Sequence, residues 1–178
     1  VPAPSTPITL RFAVPDDAEA IRSIYNHEVT ATTATFDLVP RTLQDQRDWL
    51  AARSGAFCAV VAERSAGTPA SEVVGFGSLS PYRERAAYRT SVEDSVYVRR
   101  SDARQGIGRL LLEHLLDLAS SSGFHTVFAR IEASGAASLA LHEACGFVLV
   151  GIEREVGRKF NRWLDVAVMQ CLLHERRR

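Results

Sequence analysis

"RQGIGR", residues 104–109, combines two glycines with flanking arginines, a composition suited to holding an anion. It follows the strand-like "SVEDSVYV" and opens the helix-like "IGRLLLEHLLDLASSSG". The first amides of a helix have no partner within it, and the helix dipole is positive there. Glycines let such amides come within contact distance of a phosphate. A P-loop would need a following Gly-Lys-Ser/Thr, which is missing, and a dinucleotide fingerprint would need glycine where Leu111 stands. A tight strand-to-helix turn without ligand is the other reading of the same residues. Upstream, Glu93, Ser95 and Tyr97 share one face of their strand. A carboxylate at that place can take a proton from a substrate, or it can be a strand-end charge beside Arg89 or Arg99.

The elements that must position these groups can be read along the chain. "ITLRFA" alternates as a half-buried strand does. Pro15, Asp16 and Asp17 start a helix on which Ile21, Ile24 and Tyr25 recur at helical spacing. "TLQDQRDWLAARS" predicts a second helix with Thr42 as its cap and Leu43, Trp49 and Leu50 on its apolar side. "FCAVVAE" and "VVGFGSLS" form a hairpin across the turn-rich "RSAGTPASE". After the polar, arginine-rich "PYRERAAYRT" come the strand 91–98 and the long helix, ended by Gly123. "HTVFARIE" is a strand and "AASLALHEACG" a helix ended by Gly146. "FVLVGIEREV" and "NRWLDVAVMQCLL" are two further strands. The order is one strand, two helices, three strands, helix, strand, helix, two strands. The strand–helix–strand unit implies a right-handed crossover with local parallel pairing, and the hairpins imply antiparallel pairing elsewhere. The fold class is mixed α/β around one central sheet. Residues 1–7 are expected to be a loose end and 8–173 one domain.

Composition narrows the classes. The chain has 178 residues, 46% hydrophobic and 24% charged, ordinary for a globular domain. Twenty-one basic residues balance twenty-one acidic ones, so overall charge gives no argument for nucleic acid, and "ERRR" is a local basic tail. Cys58, Cys145 and Cys171 are odd in number and widely spaced in apolar surroundings, which suits buried thiols rather than a disulfide framework or a zinc site. No apolar run reaches the roughly 18 residues of a membrane span, and "VPAPSTP" lacks the basic start and apolar core of a signal peptide. A cytoplasmic protein without metal or membrane partner is the expectation.

The piece "VYV…RQGIGRLLLEHLLDLA", followed by "ARIEASGAASLALHEACGF", resembles the GNAT superfamily of N-acetyltransferases. "IYNHEV", "VEDSVYV", "SLALHEACGF" and "VGRKFNRWLDVAVMQ" look like segments of its phosphinothricin and methionine sulfoximine acetyltransferase family, in the same order from residue 24 to 170. The resemblance implies acetyl-CoA as donor. Its pantetheine arm would meet main-chain groups of Val96, Tyr97 and Val98, and its pyrophosphate the amides of Arg104, Gln105, Gly106, Ile107, Gly108 and Arg109. Two positions depart from the pattern. Ala103 stands where Gln or Arg is usual, with Arg104 one place along, and Gly135 stands where the family commonly has Asn; Ser138 matches. Both changes remove side-chain contacts and leave the backbone cradle, so weaker cofactor binding is expected.

Acetylating an amine requires a neutral nitrogen, and a carboxylate can remove its proton directly or through water. Glu93 matches the family's general base, and an amide near Val96 would donate to the developing oxyanion. His142 stands where the family carries histidine, to hydrogen-bond the thiol, to assist proton movement, or as a satisfied helix histidine. His27 is expected to cap a helix end, with a place bordering the substrate as the other reading. Arg83 and Arg85 are candidates to pair the carboxylate of an amino-acid acceptor through their planar donor forks. Phe36, Ala86, Ala87, Tyr88, Asp94 and Ser95 complete the acceptor pocket that the resemblance implies, and Trp163 would pack at its wall or at a contact in a homodimer. Direct attack in a ternary complex is implied, since no cysteine in these motifs lies near enough to the expected site to argue for an acyl-enzyme. Other small amines, a protein N-terminus, or coenzyme A binding without turnover are the alternatives.

Overall fold

The computed structural model describes residues 7–65 and 71–175. Most of the expected loose end, the middle of the "RSAGTPASE" turn and most of the basic tail lie outside the described residues. Seven strands form one sheet in the order β1-β2-β3-β4-β5-β7-β6. They are β1 (Ile8–Phe12), β2 (Ala59–Ser65), β3 (Ser71–Pro81), β4 (Ser91–Val98), β5 (Thr126–Glu132), β6 (Val148–Lys159) and β7 (Arg162–Leu172). The helices are α1 (Ala18–Ala31), α2 (Leu43–Ala51), α3 (Ile107–Ser121) and α4 (Ala136–Ala144). The element order is the predicted one.

Each helix follows from its pattern. On α3, Ile107, Leu111, Leu112, Leu115, Leu116 and Ala119 make one fully buried stripe, and each large side chain so buried contributes about 1.5–3 kcal/mol. The stripe packs on Val60, Val74, Leu79, Val92 and Val127, one face of the sheet. α1 covers the opposite face with Ile21, Ile24, Tyr25 and Val29 against Val61 and Phe76. Thr42 caps α2: its hydroxyl accepts from the Asp45 amide at 3.1 Å, while the Asp45 carboxylate accepts from the Thr42 amide at 2.8 Å. Some details differ from expectation. β2 starts at Ala59, because Gly55–Phe57 forms a short 3-10 turn with Gly55 at φ +56°. His27 is exposed inside α1 rather than at its end, and so caps nothing.

One feature of pairing matters for function. β4 and β5 are parallel, as the crossover required, but they pair only from Ser91–Glu93 to Thr126–Phe128. Beyond Glu93, β4 stays paired with β3, and β5 with β7. The two strands part, leaving one edge of β4 from Asp94 to Val98 open at the centre of the sheet.

Candidate active site

That gap opens into a cleft of about 580 Å³, lined by both parted strands and by the starts of α3 and α4. Val96, Tyr97 and Val98 line it along β4, and Arg104, Gly106, Ile107, Gly108 and Arg109 at its α3 end. Gly135 and Ser138 line it from α4. Of the cofactor residues expected from sequence, Gln105 alone is not in this lining; its side-chain oxygen accepts from Arg64 at 2.6 Å.

The α3 end is shaped as an anion cradle. Gly106 caps the helix at φ +80° and Arg104 is left-handed at φ +63°. Alternating left-handed residues turn successive amides toward one point. The first amide to bond back into the helix is that of Leu110, to Gly106 O at 3.1 Å, so those before it lack the helical bond. Asp102, which the sequence reading did not single out, braces this turn. Its buried carboxylate accepts from Arg99 Nε at 2.5 Å and Ser101 Oγ at 2.8 Å, and pairs with Arg64. The cradle and the open edge of β4 therefore fit a diphosphate with an amide-bearing arm. Gly135 has its own cause: a Cβ there would lie 2.9 Å from Glu132 O, whose bond from the Gly135 amide at 2.8 Å closes the turn into α4.

Glu93 is half-buried at the last paired position before the strands part, opposite Ser80 on β3 and Phe128 on β5. It is not among the residues lining the cleft, which begins with its neighbour Asp94. Burial pushes the Glu93 carboxyl above the ordinary glutamate value; Arg130 and Arg83 pull it back and Asp94 adds to the rise. Arg130, on β5, lines the cleft and is held by Glu153 of β6 at 2.9 Å through one arm of its fork. Around Glu93 the aromatic rings form a platform. Tyr82 stacks on Phe128 with centroids 4.1 Å apart and meets Tyr88 edge-on at 5.7 Å. The Arg83 guanidinium lies 5.1 Å from the Tyr82 ring centre. Arg85, Ala86, Ala87 and Tyr88 are exposed on the turn entering β4.

Phe36 is exposed and lies over Gly157 of β6, where any Cβ would come within 2.2 Å of its ring. The loop carrying Phe36 is pinned from several sides. Lys159, buried on β6, donates to Thr35 O at 2.7 Å, and the Tyr25 hydroxyl meets Thr35 Oγ1 at 2.9 Å. Glu28 lines the cleft from α1 as a buried carboxylate that accepts two bonds from Arg100, at 2.9 and 2.6 Å. Sequence reasoning passed over Glu28, although a charged residue on α1's apolar stripe was a visible signal.

Asp94 faces away from Glu93, as alternation requires, and is buried against α4. Its Oδ2 lies 3.1 Å from His142 Nε2, while His142 Nδ1 lies 2.7 Å from Ser138 O. Ser95 shares the Glu93 face. Trp163 is 61% exposed beside Arg158, away from the cleft lining.

A sheet parted beside a glycine-framed helix start, with a half-buried carboxylate at the point of parting, fits an acyltransferase that takes its acyl group from a phosphate-bearing carrier. The comparisons agree. Residues 10–168 match the family model described as acetyltransferase (GNAT) domain. The chain is 39% identical over 162 residues to the phosphinothricin N-acetyltransferase of Streptomyces coelicolor, covering 90% of this chain and 93% of that one. It is 38% identical to the L-methionine sulfoximine/L-methionine sulfone acetyltransferase of Pseudomonas paraeruginosa, covering 93% and 94%. A GNAT phosphinothricin acetyltransferase from Sinorhizobium meliloti, solved with acetyl-CoA, superposes with a TM-score of 0.87 at 36% identity, covering 93% of this chain and 88% of that one. The chain belongs to the GNAT acetyltransferase family, among the phosphinothricin and methionine sulfoximine N-acetyltransferases.

Proposed function

We propose that residues 8–173 form a catalytic domain that acetylates the amino group of a small amino-acid-like substrate from acetyl-CoA, by direct transfer in a ternary complex. The acceptor would be of the phosphinothricin, methionine sulfoximine or methionine sulfone type. The observation that carries this reading is Glu93, half-buried where β4 and β5 part and adjoining the cleft with the phosphate cradle. Acetyl-CoA, when bound, supplies an acyl carbon activated as a thioester. The amides between Arg104 and Arg109 hold its diphosphate, and the open edge of β4 guides its arm toward the point of parting. Glu93 removes a proton from the acceptor ammonium, directly or through water. The Tyr82–Phe128 platform receives the acceptor's apolar part, and Arg83 pairs its carboxylate. The relatives named for such substrates support this choice of acceptor. The cytoplasm suits the three cysteines, none of which forms a disulfide among the described residues, and detoxification of such amino acids is the role that fits.

The test is coenzyme A release with acetyl-CoA and a panel of amines. Acceptors bearing an α-carboxylate are expected to turn over fastest. Arg83→Ala is expected to raise KM for these by roughly tenfold, the loss of a charged hydrogen bond, without changing KM for the decarboxylated amines. Equal effects on both classes would remove Arg83 from the acceptor site.

The sheet edge supports a homodimer. β6 is the last strand of the sheet, and Val148, Leu149, Val150, Ile152 and Val156 on it are 46–65% exposed. An apolar edge of this length invites pairing, and a second copy of the same edge closes it around a twofold axis. Leu149→Asp is expected to convert a dimer to a monomer in sedimentation equilibrium; a wild-type monomer at micromolar concentration would refute the assignment.

A further inference from the structure

Glu93, Phe128 and Arg130 stand on one face of the parted sheet. Glu93 is paired with Phe128 across β4 and β5, and Arg130 follows two residues on, so alternation puts all three side chains on the same side. It is the face opposite α3, since Val92 and Val127 pack against that helix. Of the three, Arg130 lines the cleft. β7 lies between β5 and β6, and Val168 is the residue opposite Arg130, so the guanidinium reaches past it to Glu153 of β6. Glu153 accepts from both terminal nitrogens, from Nη1 at 2.9 Å. The end of the fork is thereby filled. Nε–H and the outer N–H beside it form a second edge of parallel donors, which no acceptor among the described residues takes. An ion pair with 31% and 36% of its two side chains exposed does little for stability. What Glu153 does is hold a planar fork in one orientation beside the cleft.

The surroundings give that fork a use. Arg83 attends the Tyr82 side of the Tyr82–Phe128 stack, 5.1 Å from the Tyr82 ring centre, and Arg130 attends the Phe128 side. These two guanidiniums are the cations that lower the Glu93 pKa, Arg130 the more strongly, and they lie near enough to repel each other. Glu132, the next residue on the same face, does not compete for Arg130. Its carboxylate accepts from the Ser134 amide and hydroxyl at 3.0 and 2.6 Å and from the Thr33 hydroxyl at 3.0 Å. An acceptor whose amine meets Glu93 and whose α-carboxylate meets Arg83 carries its side chain along the rings, and a second guanidinium waits at the other end.

We propose that Arg130, oriented by Glu153, is a specificity residue that binds a second acidic group on the acceptor, so that this enzyme favours amino acids whose side chain ends in a phosphinate or carboxylate. The inference rests on the acetyl-transfer reading and narrows its acceptors to those with two anionic groups. A guanidinium bonds an ionised oxygen pair through two parallel N–H groups, roughly twice as strongly as it bonds neutral oxygens. A sulfone or sulfoximine end offers oxygen of similar shape without the charge. Arg83 cannot serve both anions, because the α-carboxylate is fixed one carbon from the amine that Glu93 must reach.

Phosphinothricin and methionine sulfone test this, because the two differ in little but charge. Each ends in a methyl group on a tetrahedral centre with two oxygens, two methylenes from the α-carbon, and only the phosphinate is ionised. In coenzyme A release at saturating acetyl-CoA, the wild type is expected to favour phosphinothricin by roughly tenfold or more in kcat/KM, the worth of a charged hydrogen bond. Arg130→Met, with a side chain of similar reach and no charge, is expected to bring that ratio close to one. Arg130→Lys is expected to restore part of it, since it keeps the charge and loses the fork. The ratios are compared on the pH plateau, because loss of Arg130 lets the Glu93 pKa rise and slows both acceptors at lower pH. A wild type that uses the two equally or prefers the sulfone overturns the proposal, as does a ratio that Arg130→Met leaves unchanged. If no amine turns over, the acetyl-transfer reading fails by itself. Calorimetric titration of the same two amino acids into the protein with coenzyme A then decides the role of Arg130: a preference for phosphinothricin that Arg130→Met abolishes supports it, and equal binding of both refutes it.

Discussion

Glu93→Gln is expected to lower kcat by roughly 10²–10⁴, the usual worth of a positioned general base, while acetyl-CoA affinity stays within about twofold of wild type. The separation follows from geometry, because Glu93 lies beyond the end of the cleft that carries the phosphate cradle. The pH dependence gives a second readout. Burial raises the Glu93 pKa more than Arg130 lowers it, so the acidic limb of kcat should lie above the ordinary glutamate value and vanish in Glu93→Gln. The sign of the stability effect also follows. A carboxyl whose folded pKa exceeds its unfolded one binds its proton better in the native state. Its stabilising contribution is present below the unfolded pKa and is lost as pH rises through the folded one. At neutral pH, Glu93→Gln should therefore melt at a higher temperature than the wild type, a trade of stability against activity. Stopped-flow or steady-state release of coenzyme A and thermal melts across pH check both arms. Unchanged turnover in Glu93→Gln at every pH would remove Glu93 as base.

Much of this architecture is legible in the sequence because it is local. The stripe on α3, the Thr42 cap and the glycine turn are each specified within a dozen residues, and the parallel β4–β5 pair follows from the crossover rule. What is missed is coupling between residues far apart in the chain. Asp94 and His142 are 48 positions apart, and Glu28 and Arg100 are 72 apart. No periodicity brings such pairs together; only the closed sheet does. Asp94 is instructive, since alternation alone places it opposite Glu93, whereas proximity in the motif groups the two on the acceptor side. The Phe36–Gly157 contact is another case: the glycine sits in a strand whose pattern gives no hint that an aromatic ring from the loop after α1 must lie over it.

Gly106→Val should weaken acetyl-CoA binding by at least tenfold and leave kcat at saturating acetyl-CoA within about threefold of wild type. A Cβ at Gly106 would meet nothing within 4 Å, so the folded protein can accommodate the side chain in space. The cost is conformational. At φ +80° an L residue is disfavoured by about 1–2 kcal/mol, and a β-branched one by more. If the chain keeps that angle, the strain is carried by the turn; if it relaxes, the amides of Ile107 and Gly108 rotate away from the anion they converge on. Relaxation lowers affinity directly, and about 1.4 kcal/mol lost is tenfold. The arginines cannot make this good, because Arg109 is drawn to Glu113 at 2.8 Å and Arg104 is itself held left-handed. Calorimetric titration with acetyl-CoA and with dephosphorylated pantetheine separates the two parts of the cofactor. Gly106→Val should weaken only the ligand that carries the diphosphate, and equal loss for both would mean that the cradle serves the fold rather than the phosphate.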